Sequence, residues 1–281
     1  MKNLLLDDKH GRPVATDIFY DEHAGKRPVV IYAHGFNGFK DWGNFDLVAG
    51  LFVAAGFTFV KFNFAWNGTT PERPEDFADL EAYGNNNYTK ELDNLGTVID
   101  WVCDEHNPYA AYIDTSNIAL LGHSRGGGIV LLKAAEDRRV QAVVTWASVS
   151  ECKTPWGSWT REKLAEWNKH GVAFITNSRT KQELPVYYQL YEDYQLHEDR
   201  LNIEKNIQKL QVPVLICHGL QDASVPSSKA EQLKAWHPPA ELFLTEGDHV
   251  FGRKHPWTGE TLPQAMQVVV DKSISFLKNS L

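Results

Sequence analysis

Cysteine is nearly absent: the 281 residues hold three, Cys103, Cys152 and Cys217, with no C-x-x-C spacing. That excludes a disulfide framework and the common cysteine-based zinc and redox motifs. Two of them close the apolar runs "VIDWVC" and "VPVLIC", where a cysteine acts as a small buried hydrophobe. Cys152 stands just past the end of a predicted strand. Long hydrophobic runs are missing as well, and none approaches the roughly 20 residues of a membrane-spanning helix. The opening "MKNLLLDDKHG" sets three leucines before two aspartates, too short for the apolar region of a signal peptide. A soluble, cytoplasmic protein is the expectation. Positive charge is in deficit, with 28 Lys and Arg against 36 Asp and Glu and a formal net charge of -8. Nucleic acid and anionic membrane surfaces reward clustered cations, so neither is expected as a partner. No internal repeat, low-complexity tract or linker divides the chain.

What is present is alternation. With 43% hydrophobic and 12% aromatic residues, the chain can bury one large core, and a single domain over 1–281 is expected. Apolar, β-branched or aromatic runs occur at 28–35, 57–63, 118–123, 140–148, 212–219 and 241–247. Helix-like segments separate or follow them: "DLVAGLFVAAG", "TKELDNLGTVIDWVCDEH", "GGGIVLLKAAED", "SSKAEQLKAWH" and "LPQAMQVVVDKSISFLKNSL". In the second, apolar positions 92, 95, 98, 99 and 102 recur at helical spacing and give one buried face. Continuous apolar strands alternating with helices predict an α/β fold with a mostly parallel, doubly covered sheet of about eight strands. The opening "LLLDDKHGRPVATDIFY" differs, and predicts an antiparallel edge hairpin about a Gly-Arg-Pro turn.

One segment breaks the pattern. Residues 149–211 carry Trp156, Trp159, Trp167, Tyr187, Tyr188, Tyr191 and Tyr194, and are too long for an ordinary strand-to-helix connection. A small lid insertion with helices of its own is expected. Trp156, Trp159, Tyr187 and Tyr188 are its candidates for substrate contact; the competing reading is that its aromatics pack the lid itself.

The stretch "IALLGHSRGGGIVLLKAA" carries the only G-x-S-x-G of the chain, a pattern expected about 0.1 times by chance at average composition. It lies between a predicted strand and a predicted helix, as a nucleophile elbow requires. Gly122 and Gly126 leave room for strand and helix to approach, and Ser124 would project above the sheet edge at a helix N-terminus. A serine hydroxyl needs a base, and that base a carboxylate to orient it. Asp222 follows the strand "VPVLICHGLQD" and His249 the strand "ELFLTEGDH", so both stand at strand C-terminal ends on the same sheet edge as Ser124. His255 is the main competitor as base, and Asp248 and Glu246 compete with Asp222. His34, His123 and His218 read as structural. Arg125 either solvates its charge at the elbow or meets a substrate carboxylate.

With "YAHGF", "GHSRGG", "HGLQDASVP" and "EGDHVF" in this order, the chain resembles the α/β-hydrolase fold family over nearly its whole length. Within it the chain looks most similar to compact esterases of the dienelactone hydrolase, cinnamoyl or feruloyl esterase and prolyl-oligopeptidase-like type. The resemblance implies Ser124 as nucleophile, Asp222 as triad acid, His249 as base, and the backbone N-H groups of Phe36 and Arg125 as oxyanion hole. Two departures matter. The chain has His-Gly-Phe in place of a glycine-rich HGGG, and serine where dienelactone hydrolases carry cysteine. The implied activity is hydrolysis of small-molecule carboxylic esters with small to medium, including aromatic, acyl groups through an acyl-enzyme, needing no metal or organic cofactor. A peptidase or amidase, an acyltransferase or thioesterase on the same residues, and a non-catalytic binding module are the alternatives. The sequence is silent on oligomeric state.

Overall fold

The computed structural model describes residues 1–281. Eight strands form one sheet: β1 (Leu4–Leu6), β2 (Val14–Phe19), β3 (Arg27–Ala33), β4 (Thr58–Phe62), β5 (Ile113–His123), β6 (Val140–Trp146), β9 (Val214–Gly219) and β10 (Glu241–Thr245). Their spatial order is β1-β2-β4-β3-β5-β6-β9-β10. The β1–β2 and β2–β4 pairs are antiparallel, and all others are parallel. The expected α/β sheet with its antiparallel edge is therefore the one observed.

Side chains along the central strands alternate between two cores. Val29 and Ile31 of β3, Ile118 and Leu120 of β5 and Ile216 of β9 face one side. Val30, Ala119, Leu121, Leu215 and Cys217 face the other. Helix α3 (Tyr88–Cys103) covers the first side with Leu92, Leu95, Val98, Ile99 and Val102, the positions its periodicity singled out. The same side receives α4 (Arg125–Glu136) and α8 (Ser228–Trp236). Helices α1 (Phe45–Ala54) and α9 (Gln264–Ser280) cover the second. A strand buried on both faces has no polar face, which is why these runs read as continuously apolar.

Four elements differ from expectation. Strand β5 begins at Ile113, five residues before its apolar run, because "IDTSN" is only partly covered and mixes polar with apolar residues. Helix α2 (Leu80–Gly84) is too short for periodicity to betray it, and is held by Asp79 capping the Ala82 N-H. The segment 149–211 holds helices α5 (Arg161–His170), α6 (Gln189–Leu196) and α7 (Ile203–Ile207), as expected, but also a separate antiparallel pair, β7 (Val172–Thr176) and β8 (Glu183–Tyr187). The alternation in "VAFIT" and "ELPVY" is a strand signal of only five residues, within the length where helix and strand are hard to separate.

Candidate active site

Parallel pairing points the C-terminal ends of β3, β5, β9 and β10 to one edge, and the four loops there carry Phe36, Ser124, Asp222 and His249. At the end of β5 the backbone reverses so sharply that Ser124 takes φ 55° and ψ -120°, and α4 starts at the next residue. A non-glycine residue stays at positive φ only where its surroundings enforce it. Here the Ser124 N-H donates to Trp146 O at 2.9 Å, and the glycines on either side remove the alternatives. A Cβ at Gly126 would stand 2.4 Å from the carbonyl oxygens of both Ala33 and His34, and one at Gly122 2.2 Å from Gly126 O.

Ser124 Oγ lies 3.0 Å from His249 Nε2, and His249 Nδ1 lies 2.7 Å from Asp222 Oδ2. An ionised carboxylate only accepts, so Nδ1 carries the proton and Nε2 is left to accept from the serine hydroxyl. Burial alone would raise the Asp222 carboxyl; hydrogen bonds from His218, His249 and the Val225 N-H outweigh it and hold the carboxyl far below its ordinary value. The second oxygen, Oδ1, accepts from the N-H groups of Ser224 and Val225 at 2.9 and 2.8 Å. The carboxylate is thus fixed in charge and direction.

His218, a structural residue by its sequence context, has a more specific place in the fold. Its Nε2 lies 3.2 Å from Asp222 Oδ2, the oxygen that also meets His249, and 2.8 Å from Val225 O, so it braces the acid loop. The spacing His-Gly-x-x-Asp was its only trace in the sequence. His34 braces the other wall. Its Nδ1 donates to Gly35 O at 2.9 Å while its Nε2 accepts from Phe64 N-H at 3.2 Å, and burial lowers it to about 4, keeping it neutral. In a trans peptide, N-H and C=O point oppositely. Holding the Gly35 carbonyl inward therefore turns the Phe36 N-H outward, next to the elbow, where a Cβ on Gly35 would be 3.0 Å from Ser124 Cβ. Neither the Phe36 nor the Arg125 N-H is used in a turn, loop or cap hydrogen bond.

The competitors stand elsewhere. His255 Nδ1 accepts from Gly43 N-H at 3.0 Å. Asp248 accepts from Val250 and Gly252 within its own turn, and Glu246 from Gln221. The Arg125 side chain turns away from the cleft: its Nε pairs with buried Glu91 at 2.9 Å, and its guanidinium lies 3.8 Å from the Tyr88 ring centroid.

Ser124 and His249 open into a cavity of about 410 Å³ whose walls include Phe36, Phe39, Trp42 and Phe45. None of the four insertion aromatics proposed for substrate contact lines it. Trp156 is 4% exposed and packs against Tyr88, Trp167 and Tyr194 with ring centroids 5.6–6.1 Å apart. Trp159 and Tyr188 each lie 5.1 Å from Trp167, and the Tyr187 hydroxyl donates to Glu81 at 2.6 Å. Rings this large and this close satisfy one another, and the insertion uses them as its own core. It reaches the cavity instead through Val149, Thr154 and the β7–β8 turn residues Asn177, Ser178 and Arg179.

A family model described as BD-FAE matches residues 16–237, a span that includes Ser124 and Asp222 and stops short of His249. The chain is 24% identical over 256 residues to an uncharacterized 31.7 kDa protein in the traX-finO intergenic region of Escherichia coli, covering 82% of this chain and 84% of that one. Among solved structures it is similar to Est1E from Butyrivibrio proteoclasticus with ferulic acid bound, at a TM-score of 0.72 and 17% identity over 99% of this chain and 98% of the other. It is also similar to the alpha/beta hydrolase GrgF from Penicillium sp. sh18, at a TM-score of 0.70 and 20% identity over 99% and 97% of the two chains. At these identities the structural likeness is one of fold.

Proposed function

The chain belongs to the BD-FAE family, an α/β-hydrolase family, and from that premise we propose that it is a serine hydrolase of carboxylic esters with small to medium acyl groups, aromatic ones among them. The observation that carries the reading is the unbroken relay from Ser124 Oγ through His249 to Asp222, at 3.0 and 2.7 Å, opening into an aromatic-walled cavity. His249 Nε2 takes the hydroxyl proton as Ser124 attacks the ester carbonyl. The oxyanion is received by the Phe36 and Arg125 N-H groups, helped by the N-terminal end of α4. The imidazolium, stabilised by Asp222, then protonates the departing alkoxide, and water repeats the cycle on the acyl-enzyme. The aromatic walls and the 410 Å³ volume suit a flat acyl group, and the ferulic acid bound to Est1E supports that direction.

The test is hydrolysis of p-nitrophenyl esters over a graded acyl series, with Ser124→Ala in parallel. The reading expects turnover by the wild type and a loss of about 10⁴-fold or more in kcat in the variant. Equal rates in the two proteins would refute it.

A further inference from the structure

Five cationic side chains are buried in this chain, and four of them have a carboxylate: Lys40 with Asp17, Lys61 with Asp41, Lys133 with Glu136 and Arg125 with Glu91. Arg253 is the exception. It is 4% exposed, its Nε donates to Val250 O at 2.8 Å, and its Nη1 is buried with no hydrogen-bond partner. The nearest acid along the chain, Asp248, is engaged by the Val250 and Gly252 N-H groups. Burial pulls the guanidinium below the ordinary arginine value, outweighing the opposing pull of the Tyr32 hydroxyl and of Asp248, as expected for a cation taken out of water without a carboxylate in contact. Such an arrangement is costly and persists where something else compensates it.

Arg253 lines the same cavity as Ser124 and His249. Its guanidinium lies 4.7 Å from the Phe45 ring centroid and 5.5 Å from that of Trp42, two rings that also wall the cavity. At the rim stands exposed Arg179 on the β7–β8 turn, the second arginine of the lining. No Asp or Glu lines the cavity, although the chain carries a net charge of -8. A cavity walled by rings, with an unpaired guanidinium and no acid, is complementary to an apolar molecule that ends in an anion. We propose that the ester hydrolysed here carries a carboxylate, which pairs with Arg253 beside Trp42 and Phe45 and is drawn in from the rim by Arg179. The proposal rests on the ester-hydrolase reading above and adds the charge of the substrate. Arg253 is then a specificity residue: it touches substrate, away from the bond that breaks.

The test uses two substrate pairs that differ only in charge. Mono-p-nitrophenyl adipate and its methyl ester place the carboxylate in the acyl part; 3-carboxyphenyl butanoate and its methyl ester place it in the alcohol. The readout is the ratio of kcat/KM for the charged over the uncharged member, so that a general loss of activity cancels. In Arg253→Gln the ratio should fall about 10- to 100-fold for at least one pair, the worth of a charge-assisted hydrogen bond. Arg253→Lys should recover part of it. Arg179→Gln, at an exposed position, should lower the ratio less and keeps the question answerable if Arg253→Gln does not fold. Ratios that stay within threefold of wild type for both pairs would overturn the proposal, whatever happens to the absolute rates. Should Ser124→Ala hydrolyse as fast as wild type, the ester-hydrolase reading fails and the anion site is judged by calorimetry with monomethyl and dimethyl adipate. Tighter binding of the monoanion that disappears in Arg253→Gln sustains the site; equal affinities end it.

Discussion

Three histidines crowd the elbow, and each ring nitrogen described there has a different partner. His249 faces Ser124 and Asp222, His123 Nε2 donates to the His249 carbonyl at 2.8 Å, and His34 grips the Gly35 carbonyl. Of the three, His249 alone contacts both a hydroxyl and a carboxylate, while His34 and His123 hold backbone groups. His34 predicts a pH signature. Burial lowers it from 6.5 to about 4, so the unfolded chain binds the proton that the folded chain refuses. Stability then falls as pH drops through 6.5 and levels for this group below about 4; at about 1.4 kcal/mol per pH unit the loss is roughly 3 kcal/mol. His123, lowered chiefly by burial and then by His249 and Arg253, acts in the same direction. Urea unfolding at pH 7, 6 and 5 should show this decline, with a shallower slope in His34→Gln; parallel slopes would count against it. On the proposed mechanism His218 positions Asp222: His218→Phe should reduce kcat about tenfold or more while KM changes little, by removing one of the hydrogen bonds that hold the carboxylate. A change in KM alone would contradict that role. At this scale the sequence is legible where chemistry and chain order coincide, as at Ser124, Asp222 and His249. Arg253 and the bracing of His218 are not, because an unpaired cation is recognised only once every acid around it has been placed.

Among the elements, the β5–α4 junction carries the most constraint. Gly126→Ala drives a methyl to 2.4 Å from two backbone oxygens, which no side-chain rearrangement relieves. It should destabilise the fold by more than 3 kcal/mol or prevent folding, whereas Gly50→Ala, which meets nothing within 4 Å, should not. Chemical denaturation of the two variants side by side checks the contrast. The insertion offers a second comparison. Trp167 is 1% exposed and donates its indole N-H to Val186 O at 2.7 Å, so Trp167→Ala should cost about 3–5 kcal/mol. Acyl-chain preference in the ester series should be unmoved, since Trp167 does not line the cavity. A shifted preference with unchanged stability would return the insertion aromatics to the substrate. The central strands are legible as apolar runs, α4 and α9 as the helix-like segments between or after them, and α3 from its 3.6-residue periodicity. The β7–β8 pair and α2 are five residues each, too short for a period to declare itself, and their identity comes from what they pack against.

Across the whole molecule, charge is sorted. No Asp or Glu lines the cavity, while Lys40 and Lys61, both fully buried, sit among Asp17, Asp41 and Asp46. This network ties β2, β4 and α1 to the loop after β3, the loop that also holds Phe36. Asp17→Asn removes one carboxylate from it and should cost about 3 kcal/mol in urea unfolding; a neutral result would mean that the remaining acids suffice. Net charge and cysteine content foreshadow the composition of the molecule but not this sorting, which depends on which loops meet. The central claim, that Ser124 is an activated nucleophile, is tested most directly by treating the protein with a fluorophosphonate and mapping the adduct by mass spectrometry while p-nitrophenyl ester hydrolysis is followed. The account predicts one adduct per chain, on Ser124, growing in step with the loss of hydrolysis. Hydrolysis that persists with Ser124 fully modified, or an inactivating adduct on another residue, would contradict it.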